Sequence, residues 1–139
     1  LSGPLVDRID LVVPMEELSY EDFHGHKGMG AENSAAIRQR VNAARQIQKN
    51  RFANSAVHCN GQMGQREIDA YCQLSASASA LLKEEFKRQR FNGRTHARIL
   101  RLARSVADLD GAETLMEEHL AEAMHYRQMD RLWSGQSNG

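Results

Sequence analysis

Residues 92–111 read NGRTHARILRLARSVADLDG, and this stretch decides the fold. Asn92 is a helix-capping residue type and Gly111 a helix-stopping one. Between them Ile99, Leu102, Val106 and Leu109 recur at three- and four-residue spacing, which predicts a helix with one apolar stripe. The surroundings have the same character. The only prolines are Pro4 and Pro14, and the chain beyond them is rich in Ala, Arg, Gln, Glu and Leu, all good helix formers.

Upstream, Asn33 or Ser34 is placed to cap a long helix to about Phe52, with Ile37, Val41, Ala44 and Ile47 as its buried face. A polar loop over 54–64 leads to two shorter helices, about 65–73 and 76–88, jointed at Leu74 and Ser75. Downstream, Leu115 falls in a brief connector. A last helix over about 117–132 should bury Leu120, Ala123 and Met124, before a disordered tail over 133–139. The opening differs: Ile9-Asp10-Leu11-Val12-Val13 is rich in β-branched residues and stops at Pro14, which predicts one short strand. A lone strand needs partners for its backbone, so it either pairs with a sheet outside this chain or lies against the helices. Residues 15–32, with Gly25, Gly28 and Gly30, read as a linker. Leu1 in place of an initiator Met reads as the start of an excised piece.

A chain of 139 residues is long enough for one core without disulfide or metal staples. Cys59 and Cys72 form no disulfide framework, which points to a reducing cytoplasm, and no apolar run approaches the roughly 18 residues of a membrane span. Eighteen basic and eighteen acidic residues cancel, which argues against a generic nucleic-acid coat. The charge is nevertheless segregated. Residues 33–66 hold no acid but carry Arg38, Arg40, Arg45, Lys49, Arg51 and Arg66, whereas 105–122 hold acids and no Lys or Arg. Solvated faces that attract one another within the bundle would account for this; a phosphate-binding surface is the functional alternative. At about 100° per residue, Arg94, Arg98 and Arg101 share a narrow sector beside the apolar stripe. Arg94, at the first turn with its unpaired backbone donors, is the best single phosphate contact.

Other motifs fail on chemistry. Gly25 and Gly30 have phosphate-loop spacing, but Ala31-Glu32 follow where Lys and Ser/Thr are required. His24 and His26 lack further fixed ligands, and Cys59 and Cys72 lack the paired spacing of a zinc site, so no metal is expected. His119 and His125 are six residues apart and face different ways. No self-contained active site is legible.

Several stretches carry a resemblance. Ser2-Gly3-Pro4-Leu5-Val6-Asp7-Arg8-Ile9-Asp10-Leu11 resembles the S-G-P-L-L-D-R-I/F-D-L signature of magnesium-chelatase-related AAA+ ATPases, with Val6 for the second Leu. Ile37-Arg38-x-Arg40-Val41-x-x-Ala44-Arg45-x-x-Gln48 and the 93–111 helix are similar to the corresponding helices of the ComM/YifB branch, as are His119-Leu120-Ala121-Glu122-Ala123 and Tyr126-Arg127-x-x-Asp130-Arg131.

The resemblance implies a mainly α fold: a helical bundle of the AAA+ lid type over 33–132, preceded over 1–32 by the last strand and a linker of a parent α/β core. It implies a longer, hexameric motor that uses ATP and Mg, with the Walker motifs upstream and no cofactor held by this chain alone. The chain would then be no enzyme by itself. Arg8, with Asp7 beside it, falls on the arginine finger, and Arg94 on the nucleotide sensor. Arg98, Arg101, Arg38 and Arg45 are left as candidate phosphate or DNA contacts. ComM-like members are associated with DNA recombination and branch migration. A non-catalytic helical interaction module and the ATPase subunit of a metal chelatase are the alternatives.

Overall fold

The computed structural model of the chain describes residues 8–17, 19–21 and 32–135, with side chains described to Arg127. Helix α1 spans Ser34–Arg51, and the Asn33 side chain accepts from the Ala36 N–H at 2.8 Å, satisfying one of the helix's orphan donors. A 3-10 turn over Asn60–Gln62 leads into α2, Gln65–Tyr71, whose Glu67 reaches back to the Gly64 N–H at 2.9 Å. Ser75 caps α3, Ala76–Gln89, which ends on Arg90 in the left-handed region. Asn92 caps α4, Gly93–Leu109, and Gly111, at φ +69°, follows it in the conformation that glycine adopts without strain. Helix α5 spans Glu117–Gly135.

Helix α4 is the axis of the bundle. It packs on α5, α1, α2 and the 3-10 turn, while α3 lies against α5. Its neighbours on several sides bury a wide arc rather than a stripe: Ile99, Leu100, Ala103, Val106 and Ala107 are buried, Leu102 is half-buried and Leu109 is exposed. Phe52, Met63, Ile68, Leu82, Phe91, Leu115, Leu120 and Met124 complete the core. The connectors before α3 and α5 are tied by one parallel bridge between Leu74 and Leu115, in which Ser75 N–H donates to Leu115 O and Leu115 N–H to Gln73 O. That bridge holds Leu115 in the core, fully buried.

Three expectations are corrected. No strand forms over 9–13; among the described residues these backbone groups meet no neighbouring strand, and the Ile9 carbonyl instead accepts from Arg98 of α4. The buried face of α1 is shorter than its periodicity, because only Ala44 is buried and Ile47 half-buried, while Ile37 and Val41 are exposed. Residues 133–135 belong to α5 rather than to a tail. The Asp7 site, the 22–31 linker with His24 and His26, and residues 136–139 lie outside the described residues.

Candidate functional site

Four arginines descend α4 from its first turn, and the fold treats each differently. Arg94 is exposed and makes no hydrogen bond or ion pair among the described residues. Arg98, its side chain only 10% exposed, donates to the Ile9 carbonyl and lies 3.7 Å from the Asp10 carboxylate. Arg101 donates through Nε to the Met63 carbonyl at 2.7 Å. Arg104 is almost wholly buried. The guanidinium sector read from the sequence is thus taken up mostly inside the molecule, which leaves Arg94 as its open member. Arg8, exposed, sits next to Ile9 on the segment that Arg98 holds, one helical turn along α4 from Arg94. Arg98 therefore fastens the backbone beside Arg8 to the start of α4. On α1, Arg38 and Arg45 are exposed and make no ion pair among the described residues, and Arg40 pairs with Glu32.

The strongest electrostatics lie deeper, at residues the sequence reading did not single out. Asp108 is fully buried and accepts four hydrogen bonds. Oδ1 takes Arg51 Nη2 at 2.6 Å and Arg104 Nε at 3.1 Å; Oδ2 takes Arg51 Nη1 and Asn60 Nδ2, both at 2.7 Å. These four fill the carboxylate's acceptor positions. Arg51 also donates to Asn60 Oδ1 at 2.8 Å and lies by the Phe52 and Tyr71 rings. Arg104 turns its remaining donors to the carbonyls of Tyr71, Ala112 and Glu113. Burial pushes the Arg104 guanidinium down from its ordinary range, and Asp108 beside it works against that shift. Two cations share one carboxylate here, and carbonyl dipoles take up the rest. The cluster pins α1, the 3-10 turn and the loop before α5 to α4.

A second polar corner lies at the surface. Met116 N–H donates to His119 Nδ1 at 3.0 Å, which leaves the proton on Nε2 to be donated to Asp110 Oδ2 at 3.1 Å. His125 is exposed and apart from it. Among the described residues no three His, Cys, Asp or Glu side chains are placed to hold a metal ion, and no helix is long and apolar enough to cross a membrane. An apolar groove of about 510 Å³ runs between α3 and the start of α4, lined by Leu82, Phe86 and His96 with Lys83 and Lys87.

The two thiols differ sharply. Cys59 is exposed, whereas burial pushes the Cys72 thiol up to about 11, with Arg104 opposing. Maleimide at neutral pH is expected to label Cys59 fast and Cys72 only on unfolding, as mass spectrometry with and without urea would read; equal labelling of both in the folded chain would contradict the packing. Because the folded thiol holds its proton more tightly than the unfolded one, its contribution to stability is complete below about pH 9 and is lost as pH rises through about 11.

The described residues form a small helical bundle around an arginine-bearing central helix. The chain belongs to the magnesium chelatase, subunit ChlI C-terminal family, which it matches over residues 31–127. It is 34% identical to the competence protein ComM of Haemophilus influenzae over 138 residues, covering 99% of this chain and 26% of that protein. It is 34% identical to the uncharacterized protein YifB of Salmonella typhimurium over 134 residues (95% and 25%), and 33% identical to that of Escherichia coli over 132 (95% and 25%). The chain spans about a quarter of the length of these curated relatives.

Proposed function

We propose that this chain is the C-terminal lid and sensor segment of a ring-forming AAA+ motor that uses Mg-ATP and acts on DNA, within a cytoplasmic recombination or competence process. Mg-ATP would supply the phosphoryl group and the charge neutralisation; this chain would supply two cations to it. Arg94 carries the reading: it is a permanently charged, planar donor, exposed and without a partner among the described residues at the first turn of α4, where the neighbouring backbone N–H groups also favour an anion. A cation there is mildly unfavourable against the helix dipole, so a merely structural role gains nothing from it. Arg8, held through Ile9 and Arg98, is the second cation and the arginine finger, with Asp7 preceding it in the sequence. The likeness to ComM, whose name attaches it to competence, supports the competence part of this reading.

Arg94→Ala in the full-length parent is expected to weaken ATP binding by about tenfold, the cost of one charge-assisted contact, with a smaller loss of turnover at saturating ATP. Paired titrations by binding and by turnover measure both. Unchanged ATP affinity would remove the sensor assignment.

A further inference from the structure

We propose that the groove between α3 and the start of α4 is a docking site for an acidic amphipathic helix of a partner protein. One wall is a single face of α3, where Leu82, Lys83, Phe86 and Lys87 recur at three- and four-residue spacing. Leu82 is buried along it, and Phe86, 40% exposed, stands edge-on to the Phe91 and His96 rings at 6.4 and 6.0 Å. Leu74 and His96 also line a second hollow of about 280 Å³, which continues over α2 at Ile68. The two hollows share those residues and so form one open channel.

Its charge selects the occupant. Lys83 and Lys87 border the apolar face, exposed and without an ion pair among the described residues, and no acidic side chain lines this part of the groove. Glu85 is turned away to Arg88 and Gln89. Gly93, the first residue of α4, lines the same end, and a helix N-terminus adds the same sign. An apolar segment bordered by Asp and Glu is complementary to this. Its backbone must satisfy itself, because the channel is walled by side chains. Among the described residues the one extended pairing is the bridge between Leu74 and Leu115, so an incoming strand finds no free sheet edge. A helix carries its hydrogen bonds internally, and about 12 Å of α3 from Ser79 to Lys87 accommodates about two of its turns. The described helices of a second copy fit poorly. Those with acids in their first turns, α2 and α5, have buried Ile68, Leu120 and Met124, and the exposed Ile37 and Val41 of α1 lie among arginines. Nucleic acid would meet the lysines but leave Phe86 and the channel unfilled.

This contact is independent of the motor reading, since it uses neither Arg94 nor ATP. The test pans a phage-displayed library of helical peptides on the 139-residue chain and measures the recovered peptides by fluorescence anisotropy. Recovered sequences are expected to carry apolar residues at i, i+3 or i+4, and i+7, bordered by Asp and Glu, and to bind more weakly as salt rises. Lys83→Glu/Lys87→Glu should weaken them by at least about tenfold, and a peptide with Lys in place of its acids should regain that loss. Replacing the peptide's apolar anchors by Ser should abolish binding without rescue, and Arg38→Glu/Arg45→Glu should leave it unchanged. Both lysines are exposed, so circular dichroism of the reversal is expected to match the wild type. Recovery of no acidic amphipathic peptide, or binding indifferent to the lysine reversal, would overturn the proposal. A dimer lost on that reversal would give the groove to a second copy, and nuclear Overhauser contacts from residues 22–31 to Phe86 or His96 would give it to this chain itself. A DNA duplex bound through Lys83 and Lys87 where peptides are not would give it to nucleic acid.

Discussion

Asp108→Ala is expected to destabilise the domain by about 3–5 kcal/mol, a large part of the roughly 5–15 kcal/mol that holds a domain of this size together. The figure comes from what remains rather than from what is lost. Arg51 and Arg104 would face each other across a small cavity, both desolvated, with no carboxylate between them. Asn60 would lose the acceptor for one of its amide hydrogens. Asp108→Asn keeps the shape but offers one acceptor oxygen and turns an NH2 toward guanidinium donors, so it should recover little. Urea unfolding of the two variants and of Arg51→Ala, with the double variant Arg51→Ala/Asp108→Ala, reads the coupling. The double variant should cost much less than the sum, because removing both leaves a single cation that three backbone carbonyls already serve. Arg104→Met should stay costly even beside Asp108→Leu, since those carbonyls would lose their donors. A loss below about 1 kcal/mol for Asp108→Ala would mean that water reaches the cluster and screens it.

That cluster also marks the limit of what the sequence makes legible. Helix ends are local, and Asn33, Asn92 and Gly111 announce them through their own side chains or φ. The outward turn of Leu109 and the inward turn of Asp108 are not local. Arg104 and Asp108 at i,i+4 look like any solvated helix pair until Arg51, 57 residues away, supplies the second fork. A single-stripe reading of α4 misses them because it assumes one buried face, and α4 has neighbours on several sides. The same reasoning separates the candidate arginines. Arg94, Arg98 and Arg101 are alike in sequence, and only the carbonyls of Ile9 and Met63, brought up by the fold, distinguish the two that are occupied from the one that is open. For Ile37 and Val41 the periodicity is real, but both are exposed among the described residues, since the bundle covers α1 only near Ala44 and Ile47.

On the motor reading, Arg8→Ala in the full-length parent is expected to lower ATP turnover by about 10³-fold, the low end for arginine fingers, and to leave ATP affinity nearly unchanged. That factor corresponds to about 4 kcal/mol of transition-state stabilisation. The split follows from the role: a finger meets charge that develops during phosphoryl transfer, so its removal shows in turnover and not in ground-state binding. Geometry supports such delivery. Arg8 is exposed and makes no ion pair among the described residues, so its charge is available. The residues after it are not free to drift, because Arg98, itself nearly buried, grips the Ile9 carbonyl and faces Asp10. A cation on an anchored segment loses little entropy when it meets its phosphate. If Arg8 reaches a nucleotide held by the neighbouring subunit, mixing Arg8→Ala subunits with subunits unable to bind ATP should restore part of the turnover, since some hybrid interfaces then pair an intact finger with an intact nucleotide site. Arg8→Lys keeps the charge but not the planar fork, and should recover only a fraction. Wild-type turnover by Arg8→Ala would make this arginine a surface charge and the signature around it structural.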